Sequence, residues 1–180
     1  KYSGTMNGGA AYSGVAAPTE AGSYTATFIV QETEDYKGLE TSVDFTIAKK
    51  TVTVTANDAS KTYGDSDPAL TYTHTEVVGQ DALDITVSRA SGENANTYTI
   101  TASQAEGANP NYEITFKTGT FTIHKATLTV TVEDKTATYG DVVPTYTVKY
   151  EGVKNGDDKD ALGGALAFEC GYAQFSDKGD

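Results

Sequence analysis

Polar and apolar residues alternate along most of this 180-residue chain. Clear examples are residues 51–55, 98–101 and 128–132, where Thr alternates with Val, Ile, Leu or Tyr. A period of two places one face of a strand on a core and the other face in water. Because β-branched and aromatic residues also suit such a pleated surface, the pattern predicts a mostly β protein.

Turn-forming clusters of Gly, Asn, Asp and Pro divide the alternating stretches into separate strands. Helix-type spacing is confined to two short candidates, Gly79–Leu83 and Lys159–Leu162. The strands predicted in the middle of the chain are 51–56, 69–76, 84–89, 97–102 and 112–123, the last broken at Gly119. Two more strands are predicted at 127–132 and 145–151.

The sequence also repeats itself at a fixed period. Phe45–Lys49 returns as Phe121–Lys125, and Thr62–Asp65 returns as Thr138–Asp141, in both cases 76 positions later. A period of this size is typical of tandem modules. The predicted domains are a partial divergent module at 1–48, a complete module at 49–124 and a truncated module at 125–180.

The predicted junctions between modules contain no flexible sequence. Strands run through Ala48-Lys49 and through His124-Lys125 without Pro, a Gly-Ser stretch or a run of charges. Since short linkers restrict hinge motion, we expect the modules to form an elongated, semi-rigid array.

Four motifs occur in a constant order. They are Thr-Tyr-Gly-Asp-x-x-Pro at 62–68 and 138–144, Gly-x-Asp-Ala-Leu at 79–83, Asn-Tyr-x-Ile-x-Phe at 111–116, and Phe-Thr-Ile-x-Lys at 45–49 and 121–125. This set resembles the MBG repeat of the YGX type, a mostly β module found in tandem in large secreted and surface-attached bacterial proteins. Residues 1–48 resemble a related bacterial surface repeat that carries Pro-Thr-Glu-Ala-Gly-x-Tyr at 18–24. The resemblance implies an extracellular, adhesin-like protein and supplies no catalytic residues.

Two topologies remain open for such a module. A β-grasp-like sheet with one short helical crossing fits five strands in 76 residues better than a seven-stranded fold does. An immunoglobulin-like sandwich is the alternative, because Glu20–Tyr24 resembles a tyrosine corner, in which a Tyr hydroxyl bonds back to the chain.

Net charge limits the possible partners. A net charge of −12 and a pI of about 4.4 argue against binding nucleic acid or an anionic membrane surface, since both would repel the chain. The sequence has no long apolar run, so no membrane insertion of this stretch is expected. Cys170 is the only cysteine, which excludes an intrachain disulfide.

Candidate chemistry is sparse. His74, His124 and Cys170 form no recognisable nucleophile pair, and the sequence has no phosphate-binding Gly loop and no zinc spacing. We therefore predict no catalytic, cofactor-binding or metal-binding residues, and no enzyme. Hard oxygen ligands for Ca²⁺ do cluster in turns that we interpret as solvated, at Asp65 with Asp67 and at Asp157, Asp158 with Asp160.

These observations predict a structural stalk or spacer segment of an extracellular bacterial surface protein, with neighbouring modules as its partners. The alternative is a weak adhesion module that binds host glycans or matrix proteins through multivalency. The 12 tyrosines could stack on sugars, although core filling is the simpler explanation for them. Open strand edges also predict strand-mediated self-association.

Overall fold

The structure is a computed structural model that describes residues 1–158 together with Ala167 and Glu169. Its described part consists of strands and loops, without a helix. The strands are β1 Tyr2–Met6, β2 Ala11–Gly14, β3 Gly22–Val30, β4 Leu39–Ile47, β5 Lys50–Ala56, β6 Ala59–Thr62, β7 Tyr72–His74, β8 Thr86–Arg89, β9 Thr97–Ser103, β10 Tyr112–Lys117, β11 Gly119–His124, β12 Thr129–Val132 and β13 Val148–Glu151. The mostly β fold class is confirmed.

Two compact units divide the chain. The first contains residues 1–59, 68–92 and 97–122. The second contains residues 60–67, 93–96 and the described residues from 123 onward. The predicted three-module division follows the repeat rather than compactness, and it stays a prediction. Among the described residues, no helix is long and apolar enough to cross a membrane.

An antiparallel sheet in the order β2-β1-β3-β4 forms the start of the first unit. Its register places Tyr24 directly opposite Phe45, and the two rings stack with centroids 5.6 Å apart. Tyr2 and Tyr12 meet this pair edge-on. Tyr24 is the centre of the small core because its side chain is only 2% exposed.

The middle of the chain folds into two sheets. One has the order β10-β5-β7, with β10 parallel to β5, and the other has the order β6-β11-β9-β8. Four side chains from β5, β9 and β11 are fully buried: Val52, Val54, Ile100 and Phe121. These are the apolar positions of the alternating pattern, so the alternation identified the core. The Arg89 guanidinium lies 4.7 Å from the centre of the Phe121 ring and adds a cation–π contact.

The helix predicted at Gly79–Leu83 is wrong. Gly79 has a φ of +57°, which an α-helix excludes, and it belongs to a turn. The helical crossing expected for the β-grasp topology is therefore missing at this position. The second helix candidate, Lys159–Leu162, lies outside the described residues.

Strand predictions were accurate where apolar positions are buried. The strands predicted at 51–56 and 97–102 differ from β5 and β9 by one residue. The break predicted at Gly119 occurs one residue earlier, at Thr118, and Gly119 is the first residue of β11. Weakly buried strands are shorter than predicted. Only β7 forms within the predicted strand 69–76, and only β13 forms within the predicted strand 145–151. Strand β6 was not predicted, because its residues Ser60-Lys61-Thr62 show no apolar alternation.

Candidate functional site

The predicted tyrosine corner is present. The Tyr24 hydroxyl donates a 2.7 Å hydrogen bond to the carbonyl oxygen of Glu20. Burial of the ring raises the Tyr24 pKa, and the nearby Glu20 charge raises it further. The corner therefore holds the backbone of Glu20 and Ala21 in a fixed position beside the first sheet.

Asn111 connects this corner to the middle of the chain. Its side-chain oxygen accepts a 3.0 Å hydrogen bond from the Ala21 N–H, and its side-chain nitrogen donates to the Glu20 carboxylate. The backbone oxygen of Asn111 also accepts a 2.9 Å bond from the Lys50 N–H at the start of β5. One motif residue thus binds both sides of the Ala48-Lys49 connection.

The next motif residue, Tyr112, holds the loop that was expected to be helical. Its hydroxyl donates a 2.6 Å hydrogen bond to the Asp81 carboxylate and accepts a 3.0 Å bond from the Val78 N–H. The hydrogen bond to Asp81 is the main reason that the Tyr112 pKa is raised, and burial adds to it. Nearby, the buried Asn109 accepts a bond from the Asp84 N–H. The Asn-Tyr motif therefore has a structural role, because its two side chains hold neighbouring loops in place.

In the second unit, the Thr62–Asp65 motif forms a turn. Gly64 has a φ of +87°, which favours glycine, and the Asp65 N–H donates a 3.0 Å bond to the Thr62 oxygen. The Tyr63 hydroxyl donates a 2.9 Å bond to the Asp157 carboxylate. Asp65 forms a 3.5 Å ion pair with Lys154. The turn therefore binds the 154–157 segment with two side chains.

A pocket of about 310 Å³ adjoins this turn in the second unit. Its lining combines an aromatic ring, two ammonium groups, an amide and an aliphatic side chain, supplied by Tyr63, Lys125, Lys154, Asn94 and Leu128. Such a lining is compatible with a small polar ligand, since pockets of this volume are large enough for one.

Three of the acidic residues weighed as calcium ligands, Asp65, Asp67 and Asp157, are each paired with a lysine or a hydroxyl. Lys61, whose side chain is 5% exposed, lies 2.7 Å from the Asp67 carboxylate and 2.5 Å from the Glu93 carboxylate. The hydrogen bond to Asp67, followed by that to Glu93, raises the Lys61 pKa. Within residues 1–158, Ala167 and Glu169, no group of three His, Cys, Asp or Glu side chains is placed to hold a metal ion. Asp160 lies outside the described residues.

The two histidines do not define a site in the described part of the chain. The His74 Nδ1 atom lies 2.8 Å from the Thr75 carbonyl oxygen, at the end of the short strand β7. His124 ends β11, and its carbonyl oxygen accepts a 2.8 Å bond from the Tyr63 N–H. Cys170 lies outside the described residues.

Motifs that recur 76 positions apart lie in a framework of strands and turns, so the chain is a mostly β protein with an internal sequence repeat. The sequence profile of the MBG domain (YGX type) matches residues 52–122 and 128–173, together more than half of the chain. The chain therefore belongs to the MBG domain (YGX type) family, which is typical of extracellular bacterial surface proteins. No curated protein and no solved structure matches the chain.

Proposed function

We propose that the chain is a structural spacer segment of an extracellular bacterial surface protein, without catalytic activity of its own. The family to which it belongs supports this proposal, because surface proteins are its typical setting. The motif side chains support it too, since Tyr24, Asn111 and Tyr112 all bond to other parts of the chain.

The Asn111 contacts are the observation that carries the proposal. A spacer must transmit position from one element to the next, so the connection between elements must resist bending. Here the covalent connection is only Ala48-Lys49, and Asn111 adds bonds to Ala21, Glu20 and Lys50 around it. Each such bond contributes about 0.5–1.5 kcal/mol, more when a charge takes part.

Pulsed electron paramagnetic resonance tests this stiffness. Spin labels at the exposed positions Thr33 and Glu106, in a Cys170→Ser background, report the distance between the β3–β4 loop and the loop after β9. We expect a narrow distance distribution that Asn111→Ala broadens. The matched control is Asn7→Ala, because the Asn7 side chain makes none of the bonds described above. A broad distribution in the unmodified chain would contradict the spacer proposal.

A second candidate function, weak multivalent adhesion, is favoured by the 310 Å³ pocket beside Tyr63. The test is a binding screen of the folded chain against host glycans and matrix proteins, with and without Ca²⁺. The spacer proposal expects no binding at micromolar concentration. Reproducible binding that is lost in Tyr63→Ala, but kept in Tyr139→Ala, would replace the spacer proposal with adhesion.

A further inference from the structure

Strand β4 is an unusually long open edge. In the order β2-β1-β3-β4 it has β3 as its only neighbour, and it runs for nine residues, Leu39–Ile47. The other strands that end a sheet in the described part of the chain have six residues or fewer. Because an edge strand presents unpaired N–H and C=O groups, it is a template for another strand. Residues 39–44 are all exposed, so nothing in the described structure covers most of this edge.

The face that accompanies this edge is apolar. The β3–β4 register pairs Val30 with Leu39 and Ala26 with Val43, which places Phe28 on the same face. The side chains of Phe28, Val30, Leu39 and Val43 are 59%, 60%, 60% and 55% exposed, respectively. Adjacent exposed apolar side chains of this size are typical of an interaction surface.

Strand β4 lacks most of the features that protect natural edge strands from pairing. Natural edge strands are commonly guarded by Lys, Pro or a bulge, and Leu39–Ile47 contains no Lys, no Pro and no Gly. Its register with β3 is continuous from Leu39 to Ile47 without a bulge. Its two charges, Glu40 and Asp44, lie on the face opposite to Leu39 and Val43, because side chains alternate along a strand.

Strand β4 is complementary to itself. The antiparallel register centred on Val43 is the one that pairs all nine residues of two copies. It places apolar or β-branched residues opposite each other on one face: Leu39 with Ile47, Thr41 with Phe45, and Val43 with Val43. On the other face it pairs Glu40 with Thr46 and Ser42 with Asp44.

The neighbouring registers are electrostatically worse. Centring the pair on Ser42 places Glu40 opposite Asp44, and centring it on Asp44 places two aspartates opposite each other. Since like charges directly opposite each other destabilise a sheet, both slips are disfavoured. The charge pattern therefore selects the same register that gives the longest overlap.

We propose that a second copy of this chain binds along β4 in the antiparallel register centred on Val43, joining two four-stranded sheets into one. The pairing satisfies the free backbone groups of both edges and brings the two exposed apolar faces side by side. It does not rest on the spacer function, because it concerns residues that the Asn111 contacts do not use.

Sedimentation equilibrium of the full chain tests the proposal. We expect a concentration-dependent dimer, which Val43→Lys weakens at least ~tenfold in Kd by placing two ammonium groups opposite each other. The matched control is Ser13→Lys on β2, the opposite edge of the same sheet, and it should leave the dimer unchanged. Circular dichroism verifies that both variants fold. A monomer up to millimolar concentration, or a dimer lost only in Ser13→Lys, would overturn the proposal.

Disulfide trapping tests the register. In a Cys170→Ser background, Val43→Cys places two thiols directly opposite each other, with Cβ atoms about 4.5–5.5 Å apart. The lower end of this range meets the distance of about 3.5–4.5 Å between the Cβ atoms of a disulfide, so a small adjustment allows the bond to form. Mild oxidation should therefore crosslink this variant rapidly. Thr41→Cys is the control, since Thr41 lies opposite Phe45 and not opposite itself. Equal or faster crosslinking of Thr41→Cys would overturn the register.

Discussion

The two Thr-Tyr-Gly-Asp turns share one backbone conformation and differ in their surroundings. Gly64 has a φ of +87° and Gly140 a φ of +94°. In each turn the Asp N–H donates to the Thr oxygen, at 3.0 Å from Asp65 and at 2.9 Å from Asp141. The motif residues therefore specify the turn locally, because glycine permits the positive φ and the closing bond spans only three residues.

The side chains of the two turns make different contacts. The Tyr63 hydroxyl bonds to Asp157, whereas the Tyr139 side chain is 71% exposed. Asp65 pairs with Lys154, whereas the Asp141 carboxylate accepts a 2.8 Å bond from the Thr138 N–H within its own turn. The difference teaches that the motif encodes a turn shape, and that the neighbouring segment decides which contacts the side chains of the turn make.

Replacing the turn glycines should give the largest effect. Gly64→Ala combines a left-handed φ with a new Cβ that would lie 2.6 Å from the Lys154 Cβ, so the 154–157 segment must move. We expect the free energy of unfolding to fall by about 2–3 kcal/mol, where the conformational strain alone costs about 1–2 kcal/mol. Urea denaturation followed by circular dichroism measures the loss.

Gly140→Ala is the matched variant in the other turn, and the strain of its φ predicts a loss of about 1–2 kcal/mol. An equal loss in Gly64→Ala and Gly140→Ala would show that the Lys154 contact does not constrain the first turn.

Removing the tyrosine hydroxyls should give an intermediate effect. Tyr63→Phe loses the 2.9 Å bond to Asp157, and we expect the free energy of unfolding to fall by about 1 kcal/mol. Tyr139→Phe should cause no measurable change. A double-mutant cycle with Asp157→Asn isolates the pair, and additive effects of Tyr63→Phe and Asp157→Asn would contradict a direct bond between them.

The smallest expected effect is on the pH dependence of the free energy of unfolding. It arises from Lys61, next to the first turn, and has no counterpart at the second turn. The Asp67 hydrogen bond raises the Lys61 pKa in the folded protein, so folding favours the ammonium form. This contribution is complete below the unfolded pKa of about 10.4 and is lost as pH rises through the folded pKa. The corresponding residue in the second turn is Ala137, which cannot titrate.

Denaturation at a series of pH values above 9 measures this effect. We expect stability to fall more steeply with pH in the unmodified chain than in Asp67→Asn. Tyr24 and Tyr112 also have raised pKa values, but both proteins contain them, so their contributions cancel in the comparison. Parallel curves for the two proteins would exclude a stabilising Lys61–Asp67 pair.

Local sequence patterns predicted the fold correctly where the interactions that stabilise it involve residues close together in the sequence. Alternation identified β5 and β9 because Val52, Val54 and Ile100 fill a core at every second position. The tyrosine corner was also predictable, since Tyr24 and Glu20 are only four residues apart. The helix at Gly79–Leu83 failed because the Tyr112 hydroxyl, distant in sequence, bonds to Asp81 and Val78 and holds a loop there.

By itself, the sequence determined the strand content, the repeat, the family and the shape of both Tyr-Gly-Asp turns, because these depend on backbone preferences and on spacing along the chain. Only the tertiary structure decided that Asn111 binds Ala21 and Glu20, some 90 residues away, and that Tyr63 binds Asp157, 94 residues away. The sheet order likewise decided that β4 is the open edge. Contacts of this kind depend on where the fold brings distant segments together, which no local pattern of polar and apolar residues encodes.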